Sequence, residues 1–241
     1  MATGLSSLTL ANLAERVKSV TIASTSDKTH CETGAGIGPK RYHEKGLKGG
    51  AMPRISRVDR SQLAPEIAAL YDKAFALRGN VPNMFRVMAH RPEIYATMQA
   101  HFAAVLSTGT VSTKLKELII VRTSQVNETP YCLASHTILA RNLGWTDDQL
   151  SHLADWPRRE DFTPAEKAAL RLAETVTRNA NAVTDEQFAE LRGFYSEGEI
   201  VELLCAIGLF NYFNRFNNAL RMEPTRPGEG GASQPESAAA R

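Results

Sequence analysis

The sequence predicts a single all-α domain between two disordered ends. Helix-start signals recur along the middle of the chain, and no convincing pair of strands or internal repeat competes with them. The composition also changes near residue 52 and again near residue 222. With 43% hydrophobic and 22% charged residues among 241, the chain can bury the core of one domain and still carry unstructured ends.

The two ends differ from the middle of the chain in composition. Residues 1–51 mix Ser, Thr, Gly and Lys without sustained periodicity. Residues 223–241 are rich in Pro, Gly, Ser and Ala and hold no large apolar residue, so they cannot bury enough surface to offset the entropy of ordering. We therefore expect a disordered extension at 1–51, a folded domain at 52–222 and a disordered tail at 223–241.

The first four helices can be placed in order along the domain. Three are predicted at 62–78, 92–107 and 112–126. The fourth begins at Pro130 and ends near residue 142, because the first position of a helix tolerates the missing N–H of proline.

The last four predicted helices begin at capping boxes. In this pattern a Ser or Thr hydroxyl accepts a bond from the amide three residues on, and the Glu or Gln at that position bonds the cap's own amide. The pairs are Thr146 with Gln149, Thr163 with Glu166, Thr184 with Gln187, and Ser196 with Glu199. They predict helices at 146–154, 163–179, 184–194 and 196–220. Such closely spaced starts leave little room for strands.

Two of these helices are unusually apolar. The run LKELIIV at 115–121 carries four adjacent apolar residues after Glu117. We expect that helix to be covered on most sides, by its own domain or by a neighbouring subunit. The run at 199–220 is apolar around much of its circumference, and Cys205 within it is interpreted as a small buried hydrophobic residue.

Charge and hydropathy exclude two classes of function. The 28 basic and 26 acidic residues give a net charge of +2, and no basic run is interleaved with aromatic residues, which argues against nucleic-acid binding. No stretch approaches the roughly 18 apolar residues of a membrane span. We expect small-molecule or protein partners and no membrane.

The cysteines indicate a reducing compartment. Cys31, Cys132 and Cys205 form an odd and widely spaced set, which argues against a disulfide framework. A cytoplasmic location is therefore expected.

No metal or cofactor is predicted. His30, Cys31 and His43 lie in the N-terminal extension and are interpreted as solvated side chains rather than ligands. No second Cys or His completes a zinc-like set around Cys132. The remaining histidines, interpreted as surface or core residues, are His90, His101 and His152.

The stretch NETPYCLASH at 127–136 carries the candidate chemistry. Thr129 is predicted to cap a helix that begins at Pro130, which makes Cys132 its third residue. Unpaired amides and the positive end of the helix dipole would then stabilise a thiolate, so we expect a lowered pKa for Cys132. His136 follows four residues later on the same face, within reach of the sulfur. A cysteine beside a base is a nucleophile pattern, although such a pair also arises by chance.

Glu117 is the third candidate. It borders the apolar run in the preceding predicted helix, and a partly buried glutamate can pass protons near neutrality. The alternative is an exposed helix charge.

Three segments of the chain recur at a spacing that is familiar from one family: GNVPNMFRVMAHRPEI (79–94), LKELIIVRTSQVNETPYCLASH (115–136) and GLFNYFNRFNNAL (208–220). Together they resemble the carboxymuconolactone decarboxylase and alkylhydroperoxidase D family, and the likeness spans about 55–222. The resemblance implies an alkylhydroperoxidase-D-like helical bundle that assembles as a trimer or hexamer. In the peroxidase branch a glutamate precedes a Cys-x-x-Cys pair and a histidine. Glu117, Cys132 and His136 match the glutamate, the second cysteine and the histidine.

The sequence departs from that pattern at two positions. Thr129 replaces the first cysteine, and Tyr131 stands where some relatives have a histidine that joins the proton relay. In the family the second cysteine attacks peroxide and the first resolves the sulfenic acid as a disulfide. Thr129 cannot form that disulfide, whereas its hydroxyl can cap the helix.

Three functions remain open. The first is a one-cysteine peroxidase, with an external thiol as reductant and Glu117 and His136 as proton relay. The second is a decarboxylase in which a histidine and an acid transfer protons on a lactone or β-keto-type acid. There Arg122 or Arg215 could anchor a carboxylate, unless each forms structural ion pairs. The third is a non-catalytic oligomer. The retained Glu, Cys and His favour the first.

Overall fold

A computed structural model describes residues 53–231, and every regular element among them is helical. The α-helices are α1 (Pro65–Arg78), α2 (Asn83–Met88), α3 (Pro92–Ser107), α4 (Thr113–Val126), α5 (Pro130–Asn142), α6 (Asp147–Ser151), α7 (Pro164–Asn179), α8 (Asp185–Arg192) and α9 (Glu197–Leu220). Short 3₁₀ helices lie at Arg60–Gln62, Leu153–Arg158 and Ala180–Ala182. The predicted all-α class is confirmed.

The predicted helix starts are confirmed where side chains bond the first turn. Thr146, Thr163 and Ser196 each form both bonds of a capping box. Thr184 accepts a bond from the amide of Gln187 without the return bond. These bonds satisfy amides that a helix cannot pair internally, which is why the local sequence could place the helices.

Helix α2 was not predicted, because tertiary packing rather than local sequence forms it. It has six residues, follows Pro82 and has no side-chain cap. All six residues are buried, including Asn83 and Arg86. Short helices without caps are marginal alone and depend on such packing.

Helix α4 lies at the centre of the domain. Every residue from Lys116 to Ser124 is buried, and Leu118, Ile119 and Ile120 are fully so. The helix packs against α5, α7 and α9. Its apolar run is therefore covered by its own domain, which is the first of the two expected arrangements.

Helix α9 packs one long face on α4. That face carries Leu203, Ile207, Phe210 and Phe213 in the core. Cys205 is a free thiol that is partly buried against the same core, as expected for a small hydrophobic residue.

The chain after α9 returns along the domain. The amide of Val81 donates to the carbonyl of Glu229 at 2.8 Å, and the amide of Asn83 donates to Thr225 Oγ1 at 2.8 Å. The sequence predicts that residues 223–231 belong to the disordered tail, because they hold no large apolar residue, whereas these polar bonds attach them to the domain. The expectations for 1–51, including His30, Cys31 and His43, and for 232–241 lie outside the described residues.

Candidate active site

A cavity of about 310 Å³ opens beside the start of α5. Cys132 and His136 line it from α5, and Phe210 and Phe213 line it from α9. The end of α1 and the short helix α2 close the other side. The volume lies near the lower end of the range for small-molecule sites, so the cavity suits a small ligand.

The start of α5 places Cys132 as the sequence predicts. Thr129 occupies the cap position, Pro130 is the first helical residue and Cys132 is the third. Glu128, just before the cap, has a φ of +50°, a left-handed conformation that is uncommon for residues other than glycine. Such backbone strain persists where the surrounding structure holds it, often at functional sites.

The expected side-chain cap by Thr129 is wrong. Its hydroxyl bonds no amide of the first turn of α5. Instead Oγ1 donates to the carbonyl of Asn127 at 3.3 Å and accepts from Nδ2 of Asn218 at 3.0 Å. Oγ1 of Thr129 thus accepts a hydrogen bond from Asn218, on a helix distant in sequence, instead of from the first amides of α5.

Glu117 and His136 form a buried pair. Oε2 of Glu117, on α4, lies 2.7 Å from Nδ1 of His136, on α5. Both residues are less than a tenth exposed, and the imidazole packs edge-on against Phe210 with ring centroids 4.7 Å apart. The carboxylate therefore fixes the orientation of the ring, and the alternative of an exposed helix charge at Glu117 is wrong.

The Cys132 sulfur is buried at the edge of the cavity. The residue is 4% exposed, and Nδ2 of Asn217 donates to Sγ at 3.5 Å. Burial raises the pKa of the Cys132 thiol to about 11, and hydrogen bonding by Asn217, Asn214 and Ser124 acts in the opposite direction. The predicted lowering of this pKa is therefore wrong. Amides at the helix start stabilise the thiolate, but the free-energy penalty of removing the charged sulfur from water is larger than that stabilisation.

Cys132 and His136 share the cavity without a direct bond. Both line it from the same face of α5. No hydrogen bond joins Sγ to the imidazole, although both residues lie in the described part of the chain. The predicted proximity on one helix face is present, and a substrate in the cavity can contact both groups.

An asparagine network holds the sulfur from the side of α9. Asn127 Nδ2 donates to Oδ1 of Asn211 at 2.9 Å and to Oδ1 of Asn214 at 3.0 Å. Asn214 Nδ2 donates to Ser124 Oγ at 3.1 Å. Asn217 also approaches Met84 Sδ at 3.4 Å, and its own Oδ1 is buried without a partner. The sequence reasoning missed these residues as functional ones.

Their signal was present in the sequence. NYFNRFNN places asparagines three residues apart at 211, 214 and 217, in the middle of an apolar helix where this residue type is disfavoured. Three buried amides on one helix face need partners, and two of the three, Asn214 and Asn217, hydrogen-bond with the Cys132 sulfur.

Two comparisons with known proteins show the family of the chain. The model of the carboxymuconolactone decarboxylase family matches residues 92–175. The uncharacterized protein YdfG of Bacillus subtilis (strain 168) is 36% identical over 106 residues, which cover 44% of this chain and 72% of YdfG. The chain belongs to the carboxymuconolactone decarboxylase family. The resemblance noted in the sequence is thus confirmed.

Solved structures of similar fold extend the family comparison. An uncharacterized peroxidase-related protein from Ralstonia eutropha JMP134, with an alkylhydroperoxidase AhpD core, matches with a TM-score of 0.67 and 23% identity over 73% of this chain and 94% of that one. The debrominase Bmp8, as a cysteine-to-alanine variant with 2,3,4-tribromopyrrole, matches with a TM-score of 0.63 and 22% identity over 72% of this chain and 92% of that one. At these identities the likeness concerns the fold alone.

Tyr131, where some family members have a histidine, has a bonded hydroxyl. Its oxygen accepts from the amide of Met84 at 3.0 Å and lies 3.3 Å from Thr225 Oγ1. Burial raises its pKa, and the bonds to Met84 and Thr225 act the other way. The residue lines the cavity and joins α5 to α2 and the returning chain.

The arginines considered for a decarboxylase do not line the cavity. Nε of Arg122 donates to Glu174 Oε1 at 2.6 Å, and Nη1 of Arg215 donates to Asn211 Oδ1 at 2.6 Å. Both are used structurally. A different arginine, Arg78, lines the cavity, and the sequence reasoning missed it.

The three other histidines within residues 53–231 do not line this cavity. His90 bonds the carbonyl of Ser56, His152 bonds that of Asp148, and His101 is exposed. Within residues 53–231 no group of three or more His, Cys, Asp or Glu side chains is placed to hold a metal ion. None of the helices in that range is long and apolar enough to cross a membrane.

Proposed function

We propose that the protein is a thiol peroxidase that reduces hydroperoxides through Cys132. One observation carries the proposal: Cys132 and His136 line the same cavity, and Glu117 fixes the His136 ring from behind. A nucleophile and an oriented base beside one substrate-sized space are what the reaction requires. The peroxidase-related protein of similar fold supports the same reading.

The resting thiol has to lose its proton before it reacts. With a pKa of about 11, on the order of one molecule in 10⁴ is a thiolate at pH 7. Nδ1 of His136 is bonded to Glu117, so Nε2 is the ring nitrogen that can take the thiol proton when substrate binds. The Asn217 amide then donates to the anionic sulfur, which strengthens that hydrogen bond.

The oxidative step follows from these positions. The thiolate attacks the terminal oxygen of the hydroperoxide, so the S–O bond forms as the O–O bond breaks. His136 returns the proton to the leaving alkoxide, which departs as an alcohol. Sulfur is oxidised to a sulfenic acid, and the peroxide is reduced.

Regeneration requires two external thiols, because Thr129 offers none. The first attacks the sulfenic sulfur, releases water and forms a mixed disulfide with Cys132. The second attacks that disulfide, which frees the Cys132 thiol and yields an external disulfide. The proposed reductant is thus a small thiol or dithiol partner.

A sulfenic-acid probe tests the proposal. After one equivalent of cumene hydroperoxide, mass spectrometry should find the probe on Cys132. Cys205→Ser is the matched control. Its Cys132 should be labelled to the same extent as in wild type, because the Cys205 side chain lies outside the cavity. Cys132→Ser should lose both the label and catalytic turnover with a dithiol. Labelling at Cys205 only, or undiminished turnover by Cys132→Ser, would refute the assignment.

Decarboxylation is the second candidate, favoured by one observation. The Glu117–His136 pair is complete without the sulfur, and Cys132 is protonated at rest. Release of carbon dioxide from a γ-lactone acid, unchanged by Cys132→Ser and lost in His136→Ala, would select it. The debrominase with the same fold shows that this architecture serves more than one chemistry. Failure of both assays would favour the non-catalytic reading.

We also propose that the protein assembles as a homo-oligomer, a trimer or hexamer, as its family implies. Exposed Leu77 and Ile138 at the cavity edge support this, because a partner subunit would cover them. Light scattering on the purified protein measures the state directly, and a monomer at micromolar concentration would refute it.

A further inference from the structure

One guanidinium stands at the mouth of the cavity. Arg78 is the last residue of α1, is exposed, and lines the same space as Cys132. Its guanidinium carbon lies 5.5 Å from the centroid of the Phe102 ring. Among the described residues, no carboxylate or other side chain forms a hydrogen bond or ion pair with it. Arginines elsewhere, such as Arg122, pair closely with a carboxylate.

The rest of the lining is apolar or uncharged except for His136, which is bonded to Glu117. Its large members include Met84, Phe85, Ile138 and Phe213. Arg78 is the one lining residue, among those described, that carries a charge at every physiological pH. A ligand that matches this surface has an apolar body and a single anionic group.

Glu117 acts on Arg78 electrostatically without forming an ion pair with it. Partial burial lowers the pKa of Arg78 and the carboxylate of Glu117 raises it, so the two charges act on each other. However, Glu117 is buried behind the cavity wall and is bonded to His136. The guanidinium of Arg78 is therefore exposed and has no carboxylate partner among residues 53–231. A guanidinium can pair with a carboxylate through two parallel hydrogen bonds.

We infer that the cavity selects small apolar substrates that carry a carboxylate, with Arg78 as the anchor. On the proposed function these are carboxylate-bearing organic hydroperoxides. Arg78 holds the carboxylate at the mouth, and the apolar body fills the space between Met84 and Phe213. The hydroperoxide group then reaches Cys132 and His136. Anchoring one end of the substrate lowers the entropy cost of placing the other end at the sulfur.

A matched pair of substrates tests this selectivity. One is the para-carboxylate of cumene hydroperoxide, and the other is its methyl ester, which keeps the body and removes the charge. The rate of Cys132 oxidation is measured under single-turnover conditions. We expect wild type to be oxidised about five- to tenfold faster by the acid than by the ester. This is the effect of one hydrogen-bonded ion pair at a site that is partly shielded from water. In Arg78→Leu the preference should vanish, and Arg78→Lys should keep part of it.

Arg192→Leu is the matched control. Arg192 is also an exposed helix-end arginine over a phenyl ring, 5.4 Å from the centroid of Phe188, and it lies outside the cavity. It should keep the full preference for the acid. Equal rates for acid and ester in wild type, or an equal loss in Arg192→Leu, would overturn the inference.

A binding measurement separates this inference from the proposed chemistry. Calorimetry with 4-isopropylbenzoate and 4-isopropylbenzamide needs no reactive thiol. Tighter binding of the benzoate, lost in Arg78→Leu alone, supports the anionic site even if Cys132 proves inert to peroxide. Equal binding of the two compounds refutes the site even if Cys132 is oxidised.

Discussion

Replacing Asn217 by leucine should make the Cys132 thiol still harder to ionise. The Asn217 amide donates to Sγ at 3.5 Å, and the residues are 1% and 4% exposed. Water therefore has little access to replace the lost donor. Leucine is close to asparagine in length, so it removes the hydrogen bond without emptying the site. It also removes the buried Oδ1 that has no partner, which limits the loss of stability.

The size of the effect follows from the bond. A hydrogen bond to a charged group contributes roughly 1.5–3 kcal/mol, and a long donor to sulfur belongs at the lower end. About 1.4 kcal/mol corresponds to one pKa unit. The pKa of Cys132 should thus rise by about one unit above its already raised value of about 11. At any pH below that pKa, the thiolate fraction of Cys132 in Asn217→Leu should be about one tenth of the fraction in wild type.

Alkylation kinetics measure this fraction. The rate of iodoacetamide addition at Cys132 is followed by mass spectrometry between pH 7 and 10. In wild type it should rise about tenfold per pH unit throughout, and in Asn217→Leu it should run parallel at about one tenth of the rate. Asn218→Leu is the control, because that amide donates to Asn127 and Thr129 rather than to the sulfur.

Two results would refute the reasoning. A rate in wild type that levels off below about pH 9 would show that helix-end amides outweigh burial. An unchanged rate in Asn217→Leu would show that its amide does not stabilise the thiolate.

Three further predictions concern stability and the missing cysteine. The folded thiol of Cys132 keeps its proton between its ordinary pKa of 9.0 and about 11, so the folded state binds more protons there and stability falls as pH rises. Between pH 7 and 10, urea unfolding should show wild type losing about 1.4 kcal/mol more than Cys132→Ser; parallel curves would contradict this. Gly109 and Gly79 have φ of +88° and +70°, but only at Gly109 would a Cβ meet a side chain, the carboxylate of Glu202. Gly79→Ala should lower the free energy of unfolding by about 1 kcal/mol, and Gly109→Ala should lower it by at least about 1 kcal/mol more. Equal melting temperatures of the two variants would exclude the contact between the new Cβ and Glu202. Thr129→Cys should form a disulfide with Cys132 after one equivalent of peroxide, and two free thiols by mass spectrometry would disprove the inferred pairing.

Local features of the sequence were sufficient for every α-helix of the described residues except α2. Thr163 and Ser196 form the bonds that their spacing predicts, and Pro130 begins α5 as expected. Glu117 and His136 meet because each lies on the inner face of a predicted helix and the two helices pack together. Helix α2 escaped prediction because its six residues are stabilised by burial rather than by a cap.

The sequence by itself determined the helical class, the order of the helices and the position of Cys132 in the first turn of α5, because capping bonds and helical periodicity act over three or four residues. Only the tertiary structure decided that the pKa of Cys132 is raised, that Asn217 donates to its sulfur and that Arg78 lines the same cavity. Those outcomes depend on the removal of water by helices far apart in the sequence. Desolvation sums over every neighbour of an atom, and no local pattern records that sum.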